Sequence, residues 1–248
     1  MKIKQGIFGF VVLTSLSCTA YAEILADQTM PNGDPSIAYP QICIRTNRTP
    51  EKTDMAPIIK KADEVANQFP PEDYINRSRA VMTHLTKEFG SGKFGHTWIN
   101  VFHDRIGTNT PSSYSYREGK GYVKNNSQDS PTRKFHLQRC VHLKSPQKQI
   151  KILEQVIVPE LNMASYFAGL AMGVPNADPQ NGVYTPIHNC AWFGGIVWNV
   201  MMQEEHVFAQ PFNGAAHANV WGMPFMKAVK SIYEPGMIAE GLKKAGSR

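Results

Sequence analysis

The sequence predicts an α+β fold in which a small antiparallel sheet packs against a helix that begins at Cys190. Three runs of β-forming residues, at positions 96–102, 114–122 and 135–143, predict the sheet. Apolar residues at helical spacing predict separate helices around these runs. The third observation is Cys190 itself, which stands where a turn-rich segment gives way to an apolar helical pattern.

Residues 1–22 have the pattern of a secretory signal peptide. Lys2 and Lys4 precede a short apolar stretch, and the small residues Ala20 and Ala22 occupy the positions that specify cleavage. The apolar stretch is too short to cross the roughly 30 Å hydrocarbon core of a bilayer. We therefore expect an exported protein, periplasmic or secreted, with no transmembrane segment after signal cleavage.

The chain is mildly basic. Its formal net charge is +6, and it falls to +4 when Lys2 and Lys4 leave with the signal peptide. No cluster of lysine and arginine resembles a phosphate-binding track, so a nucleic acid partner is not expected. The charge is compatible with peripheral contact with an anionic cell envelope. The remaining chain is long enough for one large core, or for a core with an appendage.

The helices are predicted in order from periodicity and capping. Residues 54–68 form the clearest pattern, with Asp54 as cap, and a weaker pattern follows at 75–90. A third helix begins after Ser145 and is expected to stop at Pro159, because proline lacks the backbone N–H. A short helix at 163–172 and a glycine- and proline-rich loop precede the Cys190 helix.

The strands are predicted from dense or alternating apolar residues. Residues 96–102 and 114–122 read as a β-hairpin, with 135–143 as a third strand. A further short strand surrounds Cys43 in the otherwise extended first part of the mature chain. After Gln203 the pattern alternates between loop and short helix.

Three cysteines remain after signal cleavage, and an odd number leaves one thiol unpaired in an oxidising compartment. Cys43 and Cys140 each lie in a strand-like run, so their pairing is the economical one. It leaves Cys190 free. A disulfide that includes Cys190 stays open, because connectivity does not follow from sequence.

Cys190 has the features of a nucleophile. Asn189 can cap the helix, and unpaired N–H groups at a helix N-terminus stabilise a thiolate. The Cys190 backbone N–H, with the side chain of Asn189 or His188, is a candidate oxyanion donor. The competing interpretation is a small buried apolar residue. Gly194 and Gly195, costly within a helix, indicate a strand or loop packed closely on its first turns.

His96 is the predicted base, because Gly95 admits close approach of another segment and the strand can carry His96 to the helix N-terminus. His188 is the rival, although residues two apart seldom point the same way. A third group should orient the imidazole, and we favour Glu118. The other candidates on the two strands are Tyr116, Tyr122, Asn100 and His103.

A metal site is a weaker possibility. His136, Cys140 and His142 share one face of a strand by parity, and with His188 they could ligate zinc. The disulfide interpretation of Cys140 and the lack of a second tight Cys/His pair argue against it. We predict no metal and no cofactor.

Four features of the sequence resemble the circularly permuted papain-like fold. They are, in chain order, a histidine on a strand, further strands, a helix that begins Ser145-Pro-Gln, and the motif Tyr184-x-x-x-x-Asn189-Cys190 at the start of a helix. That group is similar to NlpC-type cell-wall peptidases and includes YiiX-like proteins and the lecithin:retinol acyltransferase family. The resemblance spans residues 96–202. It implies that Cys190 is the nucleophile, His96 the base, and a polar residue on the next strand the third member.

We expect the chain after the signal peptide to consist of an arm (23–53), a papain-like catalytic domain (54–202) and a C-terminal extension packed on it (203–248), and the arm and the extension lie outside the resemblance. The resemblance implies a thiol hydrolase of the cysteine peptidase or amidase type. Together with the expected export, it makes cell-wall peptide or another envelope amide the leading substrate. The alternatives are a lipid acyltransferase or thioesterase of the same fold, and a non-catalytic envelope-binding module. Trp192, Trp198 and Trp221 could serve such a module, although core packing also explains them and is the stronger interpretation for Trp198.

Overall fold

The computed structural model describes residues 29–174 and 177–246. The predicted signal peptide, residues 1–22, and the beginning of the predicted arm lie outside the described residues. The described chain has a mixed α+β architecture built on a five-stranded antiparallel sheet, which confirms the predicted fold class at this level.

The sheet has the strand order β4-β3-β2-β1-β5, and every neighbouring pair is antiparallel. Its strands are β1 (Gln41–Thr46), β2 (Thr97–Phe102), β3 (Ser112–Arg117), β4 (Gly121–Lys124) and β5 (Leu137–His142). Every residue of β1 and β2 is buried, because both faces of the sheet centre are covered. The predicted arm therefore supplies a central strand.

The structure differs from the predicted hairpin of strands 96–102 and 114–122 in the second of these strands. β2 does pair with β3, with Ile99 opposite Tyr114. The run 114–122 is nevertheless two strands, because the chain turns back between β3 and β4. Gly119 and Gly121 have φ of +72° and +67° there, a region that glycine adopts without strain.

Seven α-helices surround the sheet within the described residues. They are α1 (Ala56–Ala66), α2 (Tyr74–Gly90), α3 (Pro146–Ile152), α4 (Val158–Ala171), α5 (Cys190–Met202), α6 (Gly214–His217) and α7 (Pro235–Gly246). Two short strands, β6 (Ala209–Pro211) and β7 (Ser231–Tyr233), pair with each other. Two 3₁₀ helices span Ser127–Asp129 and Pro224–Ala228.

The predicted stop at Pro159 is wrong. A π-helical turn, Leu153–Ile157, joins α3 directly to α4, and Pro159 lies in the first turn of α4. The wider pairing of the π turn shifts the hydrogen-bond register, so the missing proline N–H falls where a helix start tolerates it. The two helices predicted at 146–159 and 163–172 are consequently one continuous helix that contains the π turn.

Helix α5 packs against β2 and β3, as the predicted fold requires. A Cβ on Gly194 would lie 2.7 Å from Thr97 Cγ2, and one on Gly195 would lie 2.8 Å from the Phe208 ring. The two glycines thus let the first turns of α5 approach β2 on one side and the C-terminal segment on the other.

Helix α7 contacts β1, β5 and α5, so the C-terminal segment packs on the sheet. Across residues 29–174 and 177–246, none of the helices combines the length and the apolar character needed to cross a bilayer.

Cys43 and Cys140 form a disulfide, as predicted, and Cys190 is a free, buried cysteine. Cys43 lies directly opposite Cys140 in the register of β1 and β5. The bond covers the face of the sheet that α5 does not occupy, beside Phe102, Ile37 and Tyr39. It also removes Cys140 from the alternative zinc site.

The disulfide should contribute measurably to stability. It links residues 97 positions apart, so its loss frees a long loop in the unfolded chain. We expect the double variant Cys43→Ala/Cys140→Ala to lower the free energy of unfolding by about 2–4 kcal/mol, measured by urea denaturation. Dithiothreitol should destabilise the wild type to a similar extent and leave the variant unchanged. An unfolding midpoint that is insensitive to reduction would contradict this role.

Candidate active site

The structure brings the predicted pair together. Cys190 is the first residue of α5, and His96 lies immediately before β2, which packs against that helix. The His96 ring lies close enough to the Cys190 thiol for each group to shift the pKa of the other, and the backbone N–H of Thr97 is also near the sulfur. Cys190 is 4% exposed and His96 is 9% exposed. The two groups therefore meet where solvent access is restricted but not closed.

The position of His96 depends on the segment after β1. Its backbone N–H donates to the Asn47 side chain, and its carbonyl accepts from the Asn47 N–H at 3.1 Å. Gly95 has φ +82°, and a Cβ there would lie 3.0 Å from Arg48 Cβ. As expected from the sequence, glycine at this position admits the close approach of a second segment.

Asn189 caps α5. Its Oδ1 accepts from the backbone N–H groups of Ala191 at 2.9 Å and Trp192 at 3.0 Å. Its Nδ2 donates both hydrogens, to the carbonyls of Pro186 at 3.0 Å and Tyr233 at 2.9 Å. No hydrogen on this amide is left for an oxyanion. The prediction that the Asn189 side chain is an oxyanion donor is therefore replaced by a capping role.

One other donor remains beside the sulfur. The Cys190 backbone N–H has no acceptor among the described residues, as expected at the first position of a helix. The Tyr184 hydroxyl also lies near the sulfur, but it donates its one hydrogen to the Phe89 carbonyl at 3.2 Å. Burial and the negative charge of Cys190 raise the pKa of Tyr184 well above its usual range, so the hydroxyl keeps its proton.

The carboxylate that contacts His96 is that of Asp129. His96 Nε2 lies 2.9 Å from Asp129 Oδ1, so the ring nitrogen left for the thiol is Nδ1. Asp129 ends the 3₁₀ helix Ser127–Asp129 and is fully buried. Asn126 shapes this turn, because its Oδ1 accepts from the Gln128 N–H at 2.9 Å.

Glu118, the residue favoured for this role from the sequence, is elsewhere. It lies at the end of β3 with its carboxylate against Gly90, where an added Cβ would be 1.9 Å from Glu118 Oε2. Among the described residues no hydrogen bond joins it to His96. Glu118 is the first residue after β3, and it is its neighbour Arg117 whose side chain reaches Asp129.

Asp129 is held by four further side chains. Its Oδ2 accepts from Ser115 Oγ at 2.6 Å and from Arg117 Nε at 3.0 Å, and its Oδ1 lies 3.4 Å from Arg133 Nη1. Asn100 Nδ2 donates to the Asp129 carbonyl at 3.3 Å. Burial would raise the pKa of this carboxyl, but its bonds to His96, Arg117 and Ser115 outweigh burial and hold the pKa below its usual range.

The sulfur and the imidazole stabilise each other as ions. Burial would raise the pKa of the Cys190 thiol, yet the charge and hydrogen bond of His96 and the Thr97 N–H lower it overall. Burial would lower the pKa of His96, but Cys190 and Asp129 raise it overall. The arrangement therefore favours a thiolate beside an imidazolium.

The other residues that the sequence offered as base or third member form no hydrogen bond with Cys190 or His96 among the described residues. His188 packs edge-on against Trp192 at 4.4 Å, and burial lowers the pKa of His188 to about 4. Tyr116 donates to Asn162 Oδ1 at 2.6 Å, and Tyr122 packs against Phe193. Asn100 supports the Asp129 turn, and no bond joins His103 to His96 within the part of the chain that is described.

A cavity of about 350 Å³ opens on the sulfur and the imidazole. Its walls include Arg117, Glu118, Lys120 and Tyr184, together with a glycine-rich stretch between α2 and His96. A reactant in this cavity would meet the thiol at the N-terminus of α5. The site therefore has the parts that acyl transfer requires: a nucleophile, an oriented base and an unpaired backbone N–H at the nucleophile.

No group of three or more histidine, cysteine, aspartate or glutamate side chains within residues 29–174 and 177–246 could hold a metal ion. Comparison of the chain with protein-family models, curated proteins and solved structures finds no match.

The sequence reasoning missed Asp129 and the arginines that bind it. The search for a third member was confined to strands, whereas Asp129 lies in a turn between β4 and β5. One signal was available, because Asn126 and Asp129 frame a short polar turn that ends before Pro131.

Because Asp129 is held as an anion, the free energy of unfolding should depend on pH in the acid range. Its pKa is lower in the folded chain than the value of about 3.9 in unfolded chains. The stabilisation is thus fully present above about pH 5 and is lost as the pH falls through the folded-state pKa. We expect Asp129→Asn to lower the free energy of unfolding by about 3 kcal/mol at pH 5.5, with a difference from wild type that shrinks below pH 4.

Urea denaturation of both proteins between pH 2.5 and 5.5 measures this difference. In that range an unperturbed histidine is protonated in the unfolded chain as well, so the change reports the carboxyl group. A difference that stays constant down to pH 2.5 would show that Asp129 is not held as an anion.

Proposed function

We propose that this protein is an exported cysteine hydrolase with a circularly permuted papain-like fold, which cleaves an amide bond in cell-wall peptide or another envelope substrate. The observation that carries the proposal is the chain of contacts from the Cys190 sulfur through His96 to Asp129 Oδ1, at a helix N-terminus that opens on a cavity. In such an arrangement the cysteine is the nucleophile, the histidine transfers the proton, and the carboxylate orients the histidine.

The first step would be acylation. The Cys190 thiolate attacks the carbonyl carbon of the amide, and the carbonyl electrons move to oxygen. The Cys190 N–H, which has no acceptor among the described residues, is the candidate donor to this oxyanion. The imidazolium of His96 then gives its proton to the amide nitrogen, the carbon–nitrogen bond breaks, and the amine leaves a thioester on Cys190.

The second step would be deacylation. Neutral His96 takes a proton from a water molecule, and the resulting hydroxide attacks the thioester carbonyl. The carbon–sulfur bond breaks, which releases the acid and restores the thiolate beside the imidazolium. Asp129 keeps Nε2 of the ring occupied throughout, so Nδ1 stays directed at the reacting atoms.

The papain-like fold is supported by the order of these parts. The base precedes the nucleophile in the chain, and the helix that begins with the nucleophile packs on the strands that follow the base. Residues 41–46 and 235–246 would extend the family pattern, because β1 and α7 cover the sheet around it. Export is supported by the disulfide, which forms in oxidising compartments.

The alternatives differ from this proposal in testable ways. A lipid acyltransferase or thioesterase would use the same thioester and differ in the donor or the acceptor. An envelope-binding module would need no ionised thiol. Reactivity of Cys190 and turnover of an amide therefore separate the three.

Cys190 should be alkylated rapidly by iodoacetamide at pH 6.5. We expect His96→Ala to lower the second-order rate constant about 10- to 100-fold, because an ordinary thiol with a pKa near 8.5 is about 1% ionised at that pH. His188→Gln is the matched control and should change the rate constant less than about twofold. Mass spectrometry of the labelled peptide measures the rate. If both substitutions slowed the alkylation equally, His96 would not be the group that activates Cys190.

Amide cleavage should depend on the sulfur. The wild-type protein should release free amino groups from purified cell-wall peptides, and Cys190→Ser should reduce the rate about 1,000-fold or more. Amine labelling followed by mass spectrometry measures the products. Rapid alkylation of Cys190 without release of amines, and with release of fatty acid from a phospholipid, would favour the lipid alternative.

A further inference from the structure

A second cavity, of about 610 Å³, lies beside the catalytic cavity, and we call it the outer cleft. Glu118, Lys120 and Tyr184 line both spaces, so the two adjoin each other. We propose that the outer cleft binds an anionic group of a peptide substrate, so that the bond cleaved at Cys190 lies next to a residue or chain end that carries a carboxylate. This inference rests on the proposed hydrolase function and names its substrate class.

The wall of the catalytic cavity leaves room for a peptide main chain at Gly92. A Cβ on Gly92 would meet no atom within 4 Å, so the space beside this residue is open. The other two glycines of the wall are covered, Gly90 by the Glu118 carboxylate and Gly95 by Arg48 and Asn47. An extended backbone can therefore come close to the protein backbone at Gly92.

The outer cleft carries an excess of positive charge. Arg79, Lys87 and Lys120 line it, against the two carboxylates of Glu118 and Asp178. Among the described residues neither Lys87 nor Lys120 forms a salt bridge, and the side-chain bond of Arg79 is to the amide of Asn76 at 3.4 Å. These cations are therefore available to a ligand.

One of the two carboxylates is already engaged. Asp178 accepts hydrogen bonds from the Gln180 N–H at 2.9 Å and from Asn181 Nδ2 at 2.7 Å, which hold it within its own loop. In the catalytic cavity, Arg117 and Arg133 add two cations that share the buried Asp129. The balance along both spaces stays positive, and a positive cleft concentrates anionic ligands.

The chemistry of the remaining walls favours a peptide over a long acyl chain. Thr83, Thr86 and Asn181 contribute hydrogen-bonding groups, and Met82 and Met172 contribute apolar surface. Peptides present polar main-chain groups and apolar side chains together, whereas an acyl chain requires a continuous apolar groove.

The ratio of two alkylation rates tests the charge without knowledge of the substrate. Iodoacetate and iodoacetamide attack the same thiolate with the same leaving group and differ mainly in charge. We expect the iodoacetate/iodoacetamide ratio at Cys190, relative to that of 2-mercaptoethanol, to exceed one in low salt. Lys87→Gln and Lys120→Gln should each lower it about twofold, 0.5 M NaCl should lower it further, and Glu118→Gln should raise it.

A ratio at or below that of 2-mercaptoethanol, or one unchanged by all three substitutions, would overturn the anionic specificity. That failure is distinct from failure of the hydrolase proposal, in which iodoacetamide alone would react slowly with the wild type. Protection from iodoacetamide by the tripeptide Ala-Glu-Ala, but not by its amidated analogue Ala-Gln-Ala-amide, would support a peptide carboxylate. Protection only by phosphatidylglycerol vesicles would overturn the peptide assignment.

Discussion

The buried carboxylate of Asp129 is the interaction on which the candidate site depends. It contacts His96, Ser115, Arg117 and Arg133, and so joins the start of β2, the strand β3 and the turn before β5. A buried carboxylate without such partners would take up a proton, because burial penalises the charged form. With them it stays ionised and orients the imidazole. The reactivity of the sulfur thus depends on a residue that does not touch it.

The fold keeps the sulfur and the ring in register through close backbone packing. Gly194 lets α5 approach Thr97, the residue that follows His96 and whose backbone N–H also contacts the sulfur. Gly95 lets the segment after β1 approach the residue before His96. The disulfide fixes β1 to β5 on the opposite face of the sheet. Each side of the pair is therefore positioned by contacts that leave little room for displacement, which is the condition for preorganised catalysis.

Local patterns predicted much of this arrangement, and contacts between distant segments account for what they missed. The helix at Cys190 and its Asn189 cap follow from turn chemistry and periodicity, which act over a few residues. Asp129 could not be found in this way, because a 3₁₀ turn has no periodicity and its partners come from other elements. The Asn189 amide shows a related limit. Its residue type suits both capping and oxyanion donation, and only the positions of the Pro186 and Tyr233 carbonyls decide between them.

Under the proposed function, one electrostatic cause links activation of the nucleophile with selection of the substrate. The thiolate and imidazolium together are neutral, whereas Asp129 with Arg117 and Arg133 carries a net positive charge directly behind them. The N-terminus of α5 adds a partial positive charge at the sulfur. Such a field stabilises a thiolate and an oxyanion, and it equally attracts a substrate carboxylate in the adjoining cleft. Under the proposed function, a preference for anionic peptides is therefore a consequence of how the thiol is activated, and Lys87 and Lys120 extend that field to the cleft.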